Sequence, residues 1–499
     1  MSAATEFLAT DLGAESGRAL LAGFDGERMS LGEIHRFPNV PVHAAGTLHW
    51  DALRLFDEIK RSLSKAVRES ENLESIGLDT WGVDFALLDR DGCLVSNPVH
   101  YRDSTTEGIS QRAEERVSRE EMYRVTGIQF LPFNTVYQLM AMKGSPLLEA
   151  AEDMIMIPDL FAYWLTGEKA CEYTAATTTG LYGLEERGWA TALIETLGLP
   201  TKIFPAINPP GETLAPLLPA VADEAGASGL HLTSVASHDT ASAVVAVPAE
   251  GEDFAYISSG TWSLVGLETP DPITNEEARR SNFTNEGGFG GTNRFLKNVM
   301  GLWILQECRR QWMHEGKEYS YEELAQMAKT AAPAQSFIDP DHHTFLAPGD
   351  MPSRIERFLV ATGQPPVEES GDMARCVLES LALKYRWVVD KAESASGRKA
   401  GVVHVVGGGA RNELLCELTA EAAGRTVLAG PYEATALGNA LVQAYASGRL
   451  GSLDEMREVV RNSFAVRVYE PRDDRGRWEE VYGRFTDLLE TESRGVAAE

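Results

Sequence analysis

Two aspartates sit where apolar runs give way to turns of small residues. Asp11 closes FLATDL and leads into D-L-G-A-E-S-G-R, residues 11–18, while Asp239 follows the run TSVAS within S-H-D-T-A-S-A, residues 237–243. A carboxylate at a strand end suits two tasks. It can hold a hydrated magnesium ion, which takes one or two carboxylates plus phosphate oxygens. It can also accept the proton of a hydroxyl that attacks phosphorus. Gly13 and Gly17 are expected to permit positive φ and close backbone approach, and small Ala14 and Ser16 let N–H groups face phosphate oxygens. By residue type alone, a plain hairpin turn accounts for Asp11 and a helix N-cap accounts for Asp239.

Three further segments carry chemistry of the same kind. S-S-G-T-W, 258–262, offers hydroxyls and N–H groups without negative charge, as a γ-phosphate requires, although a hairpin needs no more. V-V-H-V-V-G-G-G-A-R-N-E-L-L, 402–415, runs an apolar strand through three glycines into a helix, leaving bare backbone on which a base or ribose can lie. A dinucleotide fingerprint does not fit there, because Asn412 stands where the last glycine belongs. A mere strand-to-helix connection would hardly need three glycines. L-D-T-W-G-V-D-F-A-L-L-D, 78–89, places Asp79 and Asp84 as acceptors around Trp81, whose face could carry a sugar's C–H groups. Core packing is the more ordinary use of such a tryptophan.

These segments need elements to position them. Short apolar runs alternate with longer amphipathic ones, the pattern of an α/β protein. FLATDL, RALLAGF, SIGLD, FALLD, TSVAS, FAYISS, SLVGLE and VVHVV are expected as strands. Helices are expected at 50–70, 119–126, 134–143, 321–330, 373–393 and 413–423. The fifth of these places Val377, Leu381 and Tyr385 on one buried stripe. FLATDLGAESGRALLAGFD and FAYISSGTWSLVGLE read as an internal repeat of strand, glycine turn and strand, which suggests two similar domains. The boundary is expected within 247–253.

Composition bounds the rest. The chain has 499 residues, 43% of them hydrophobic, enough for two or three packed domains. Its net charge of −29 argues against nucleic acid or an anionic membrane surface as partner. No apolar run is long enough for a bilayer and no signal peptide is evident, so a cytoplasmic protein is expected. The five cysteines lack C-x-x-C spacing and read as buried filler, not as disulfides or a zinc site. His342 and His343 lie in a Pro-rich loop without correctly spaced partners and read as surface residues, not metal ligands.

Taken in order, D-L-G-A-E-S-G-R, D-T-W-G-V-D-F, Y-R-D-S, S-H-D-T, S-S-G-T-W-S-L, T-N-E-G-G, L-K-N-x-M-G-L-W, P-G-D-M-P and V-G-G-G-A-R-N resemble the FGGY carbohydrate kinases. The resemblance spans 11–412 and implies an α/β fold of two ribonuclease H-like (actin-like ATPase) domains flanking a central catalytic cleft. The expected domains are 1–247, on the sugar side and carrying the first phosphate turn, and 248–465, on the nucleotide side. A helical tail, 466–499, is expected to pack back on the N-terminal domain. T-W-G-V-D and L-K-N-x-M-G-L-W set the chain apart from glycerol, xylulose and gluconate kinases. The implied activity is phosphorylation of a ketose, L-rhamnulose, at O1 in L-rhamnose catabolism. L-Fuculose is the alternative, as is an inactive nucleotide or sugar sensor.

The resemblance also implies roles. Asp239 becomes the catalytic base, with Gly82, His238, Thr240 and Asn298 in the sugar site. Ala14, Glu15, Ser16, Gly17, Arg18, Thr261, Gln306, Gly408 and Gly409 would hold ATP, and Asp11 would position Mg²⁺ through water. The small molecules ketose and MgATP are the expected partners. Thr105 departs from the pattern, because the family often has arginine after Y-R-D-S.

Overall fold

A computed structural model describes residues 4–472 and 475–496. Its backbone divides into two compact units: 1–248 with 268–295 and 434–464, and 249–267 with 296–433 and 465–499. Compactness therefore does not follow chain order. Gln443, on the helix Ala434–Ala446, explains one of these returns: its Nε2 donates to the Leu8 carbonyl and its Oε1 accepts from Ser75 Oγ. That helix is part of the first core despite lying late in the chain.

The first unit is built on β1 (Thr5–Leu12), β2 (Ser16–Phe24), β3 (Met29–Pro38), β4 (Leu73–Thr80), β5 (Glu212–Pro216) and β6 (His231–Ser234). They lie in the order β5-β6-β4-β1-β2-β3. β1 and β2 form an antiparallel hairpin, whereas β1, β4 and β6 run parallel. Phe7 through Leu12 are all buried, the continuous pattern of a strand covered on both faces. Helix α1 (Ala52–Glu69) starts where Asp51 accepts the Arg54 N–H and buries Leu55, Ile59 and Leu63, four residues apart. Full burial of each such side chain contributes about 1.5–3 kcal/mol. Helix α2 (Asp239–Val245) follows β6.

The second unit repeats this plan. β7 (Phe254–Ser259) and β8 (Trp262–Thr269) form an antiparallel hairpin, with β9 (Asn293–Met300) beyond β8. β10 (Val402–Val406) runs parallel to β7, and β11 (Thr426–Ala429) parallel to β10. β12 (Arg467–Tyr469) closes that edge. The repeat read from the two hairpin sequences is thus a repeat of topology.

Helix α3 (Trp303–His314) follows β9, α4 spans Ser370–Ser396, and α5 (Glu413–Ala423) follows the glycine run. Helix α4 buries Val377, Leu381 and Tyr385 as expected and ends on Gly397 at φ +70°. The C-terminal helix α6 (Arg475–Val496) belongs to the second unit, not the N-terminal domain. Its Trp478 donates to Glu421 of α5, and its Tyr482 ring lies under Arg386 of α4 at 3.8 Å. The expected strand at TSVAS is shorter, ending at Ser234, and the helix after it begins at Asp239 rather than near Ala241. Cys93 is exposed, and only the other four cysteines are buried.

Candidate active site

In the first unit, strand register brings two carboxylates, Asp11 and Asp79, side by side. Asp11 pairs with Arg18 across the hairpin and with Asp79 across the parallel neighbour. The Arg18 guanidinium grips Asp11 Oδ2 through Nε at 2.9 Å and NH2 at 2.7 Å. The expected magnesium ligand and the expected phosphate-binding arginine are thus paired with each other. Neither Gly13 nor Gly17 adopts positive φ. Gly17 is required for another reason: a Cβ there would lie 2.3 Å from the Phe37 ring. Asn39 sets the shape of the turn, donating its backbone N–H to the Glu15 carbonyl and its amide to the Gly13 carbonyl.

Asp79 is buried, and burial followed by the charge of Asp11 pushes its carboxyl well above the usual range. Its Oδ2 accepts from Asn439 Nδ2 at 2.6 Å, while Oδ1 has no hydrogen-bond partner. Asp84 is a buried hub rather than a free acceptor. Its Oδ2 accepts from Trp50 Nε1 at 2.6 Å, Trp81 Nε1 at 3.0 Å and the Tyr101 N–H at 3.3 Å; Oδ1 accepts from Gln138 at 2.8 Å. Burial nevertheless holds its carboxyl at about 7. Trp81 packs on Trp50 at 4.1 Å between centroids, so core packing accounts for it. Thr105 is exposed, and its N–H donates to Asp103 Oδ1.

His238 and Asp239 stand at the start of α2, with His238 in the N-cap position. The Asp239 side chain remains 29% exposed. Its Oδ1 accepts the Thr240 N–H and, at 3.1 Å, the Thr240 hydroxyl. Thr240 itself is buried, so it orients the carboxylate instead of facing outward. Burial raises the Asp239 carboxyl above its ordinary range; His238 opposes the shift, Asp11 adds to it, and Thr240 opposes it again.

His238 Nε2 lies 3.5 Å from Asp239 Oδ1, and its Nδ1 accepts from Arg294 NH2 at 3.1 Å. Arg294 is fully buried, donates Nε to the Gly287 carbonyl and lies 3.2 Å from Glu286 Oε2. The Nδ1 edge of the ring thus faces both Arg294 and Glu286, whose Oε2 lies 3.3 Å away. A Cβ on Gly82 would lie 3.3 Å from the ring's Nε2 and 3.1 Å from Thr178 Cγ2, so glycine leaves this edge of His238 open. Val83, next to it, is held at φ +65° by a hydrogen bond from its N–H to Thr178 Oγ1. Such a conformation in a β-branched residue is strained and clusters at functional sites.

The second unit presents its own group. Thr261, in the turn between β7 and β8, accepts the N–H groups of Gly301 and Trp303 on its carbonyl at 3.1 and 3.2 Å. This latches the turn to the start of α3. Gly301 permits the contact, since a Cβ there would lie 2.7 Å from the Trp262 carbonyl carbon. Gly407 takes φ +82°, and a Cβ on Gly409 would lie 2.0 Å from Ser259 Oγ. Nothing lies within 4 Å of a Cβ built on Gly408, which leaves its backbone open.

On α3 the buried Gln306 Oε1 has no hydrogen-bond partner. Asn298, on β9, is half-buried, and its neighbour Lys297 is buried. Lys384 holds Asp339 at 2.8 Å and Asp341 at 3.0 Å, and Asp341 Oδ1 accepts the Met300 N–H at the end of β9. The His342 and His343 rings lie tilted against each other at 4.3 Å, and His342 bonds Thr344.

Sequence reasoning missed Asn39, Arg294, Asn439 and the Lys384 cluster. Glu286 lies inside the T-N-E-G-G motif, which was the one signal pointing toward it. None of the described helices is long and apolar enough to cross a membrane.

Comparison with known proteins agrees along the whole chain. Residues 7–246 match the N-terminal domain of the FGGY family of carbohydrate kinases, and 255–447 match its C-terminal domain. A rhamnulokinase of Bacteroides thetaiotaomicron is 41% identical over 97% of this chain and 99% of its own. One of Halalkalibacterium halodurans is 42% identical over 93% and 99%. Among solved structures, gluconate kinase from Lactobacillus acidophilus has a TM-score of 0.81 at 17% identity, covering 98% of both chains. Plasmodium falciparum glycerol kinase with ADP has a TM-score of 0.77 at 13% identity, again over 98% of both chains. These last two establish the two-domain fold. The chain belongs to the FGGY family of carbohydrate kinases.

Proposed function

We propose that this protein transfers the γ-phosphoryl group of ATP to the O1 hydroxyl of L-rhamnulose, with Asp239 as the base. Relatives about 40% identical over more than nine-tenths of the chain carry the name rhamnulokinase, which supports the ketose. The observation that carries the assignment of the base is the state of Asp239. It is a carboxylate still reached by solvent, anchored through one oxygen by Thr240 and raised in pKa by its surroundings. A base works best when its pKa lies near the operating pH, and a shift upward moves a carboxylate in that direction.

The sugar side draws on Gly82 and His238, with Asn298 as a further contact. His238 offers its Nε2 edge to a sugar oxygen while Arg294 and Glu286 hold the Nδ1 edge. The bare Gly82 gives the substrate room beside it. ATP phosphates are assigned to the turn Ala14–Arg18 and to Thr261, and the nucleoside to Gln306, Gly408 and Gly409. The unpartnered Gln306 Oε1 and the open Gly408 backbone support that assignment.

Asp11 and the unpartnered Asp79 Oδ1 supply oxygens of the kind a hard divalent cation takes, so the donor set fits Mg²⁺. When bound, Mg²⁺ would neutralise negative charge on the ATP phosphates. Arg18, which holds Asp11 here, is assigned with the rest of its turn to the phosphates. ADP release measured across L-rhamnulose, L-fuculose, D-xylulose, L-ribulose and glycerol tests the substrate. Turnover is expected to be fastest with L-rhamnulose, and equal or faster turnover with another sugar would overturn the assignment.

A further inference from the structure

Beneath the Ser237–Asp239 segment lies a cavity of about 20 Å³, bordered by Leu78, Asp159, Glu172, Asn208, Ser234 and Ser237. That is room for one water or one ion. Three buried oxygens among its walls have no hydrogen-bond partner: Asp159 Oδ2, Glu172 Oε1 and Asn208 Oδ1. Asp159 is 7% and Glu172 2% exposed. We propose that this cavity binds one hard metal cation through Asp159 Oδ2, Glu172 Oε1 and Asn208 Oδ1, separately from any cation that accompanies the nucleotide.

The hydrogen bonds around the cavity argue for a cation over the alternatives. Glu172 Oε2 accepts from the Thr174 hydroxyl, the Ala175 N–H and both the N–H and hydroxyl of Ser237. Asp159 Oδ1 accepts the Glu172 N–H. Each acid therefore has one oxygen on donors and the other without a partner, and both residues border the cavity. In the orientation it takes, Asn208 keeps its amide donor on Ser234 and leaves its oxygen without a partner. The Nδ2–Ser234 Oγ distance is 2.7 Å, and that hydroxyl lies 3.2 Å from the Pro209 carbonyl.

A single proton shared between the two acids would satisfy both carboxylates but leave the Asn208 oxygen without a donor. A cation satisfies all three, and all-oxygen ligation is the preference of hard ions. Such an ion would also brace the loop that carries Asp239. Glu172 holds Ser237, and Thr174 Oγ1 accepts the His238 N–H at 3.1 Å.

The test uses the full chain carrying Asp11→Asn and Asp79→Asn, which removes the carboxylates assigned to the nucleotide's cation as competing ligands. Protein dialysed against chelator and choline chloride is melted in rising NaCl, KCl, MgCl₂ or CaCl₂ at constant ionic strength. At least one cation is expected to raise Tm saturably, by about 3 °C at a hundredfold excess over Kd. The rise should vanish when Asp159→Asn is added, and elemental analysis should find about one ion per chain. If Asp159→Asn does not fold, Asn208→Ala takes its place and should weaken cation affinity at least about tenfold. The proposal is overturned if every salt acts as choline does, or if the shift survives both substitutions. Sodium or potassium specificity identifies a monovalent site, and magnesium or calcium a divalent one; either supports the proposal.

Discussion

The Arg294 guanidinium, fully buried, donates to Nδ1 of His238 at 3.1 Å. The only side of the imidazole left to act is Nε2, which lies beside Gly82 and Asp239. Replacing Arg294 by Met should free the ring and leave Glu286 without its cation. Breaking such a buried pair costs about 3–5 kcal/mol of stability. Adding Glu286→Gln should restore much of that stability and little of kcat/KM for the ketose, which should stay down about 10²-fold. Urea denaturation and ADP release, run side by side, separate the two effects. Full recovery of activity in the double variant would show that Arg294 serves folding alone.

Asp84 predicts a loss of stability rather than chemistry. Asp84→Ala would leave the indole N–H groups of Trp50 and Trp81 and the amide of Gln138 without their acceptor. At about 1–3 kcal/mol for each buried unsatisfied group, a loss of about 3 kcal/mol or more is expected. The pH dependence has a definite sign. The folded carboxyl titrates near 7 and the unfolded one near 3.8, so the native state retains the proton longer. Its contribution to stability is complete below about pH 4 and declines up to about pH 7. Denaturant midpoints from pH 4 to 8 should fall less steeply in Asp84→Asn than in the parent.

Much of this was visible before any coordinates, and what was hidden has a physical reason. Asp11, Asp239, Thr261 and the 407–409 glycines announce themselves because turn chemistry is local. The hairpin repeat and the helix Ser370–Ser396 were legible for the same reason, through period and punctuation. Asn439 acts on Asp79 across 360 positions and Arg294 on His238 across 56, and no local pattern encodes such partners. The glycines of the first turn misled for a related reason. Gly17 is demanded by the Phe37 ring, a contact two strands bring together, and not by a left-handed backbone. Roles for Gly82, Asn298 and Gln306 came from resemblance alone.

Gly82→Ala tests the open edge of His238. The added methyl would press on Thr178 Cγ2 at 3.1 Å and His238 Nε2 at 3.3 Å. KM for the ketose should rise about tenfold or more while KM for ATP stays within about twofold, since the clash is local to the sugar side. A parallel rise in both constants would mean that the fold, not the sugar site, had moved.

The acid limb of the pH–rate profile should report the raised Asp239 carboxyl. Activity requires the ionised form, so kcat/KM should fall as pH drops through a pKa above the ordinary value of 3.8. Asp239→Glu should move that limb, whereas Thr240→Val should lower kcat by releasing the oxygen that Thr240 anchors. Steady-state rates from pH 4 to 9 decide it.

Asp239→Asn, assayed for L-rhamnulose-dependent ADP release, tests the central claim most directly. With the base removed and the side chain's shape kept, kcat should fall at least about a hundredfold while thermal stability is retained. Turnover within a few-fold of the parent would contradict the assignment of Asp239 as the group that takes the proton.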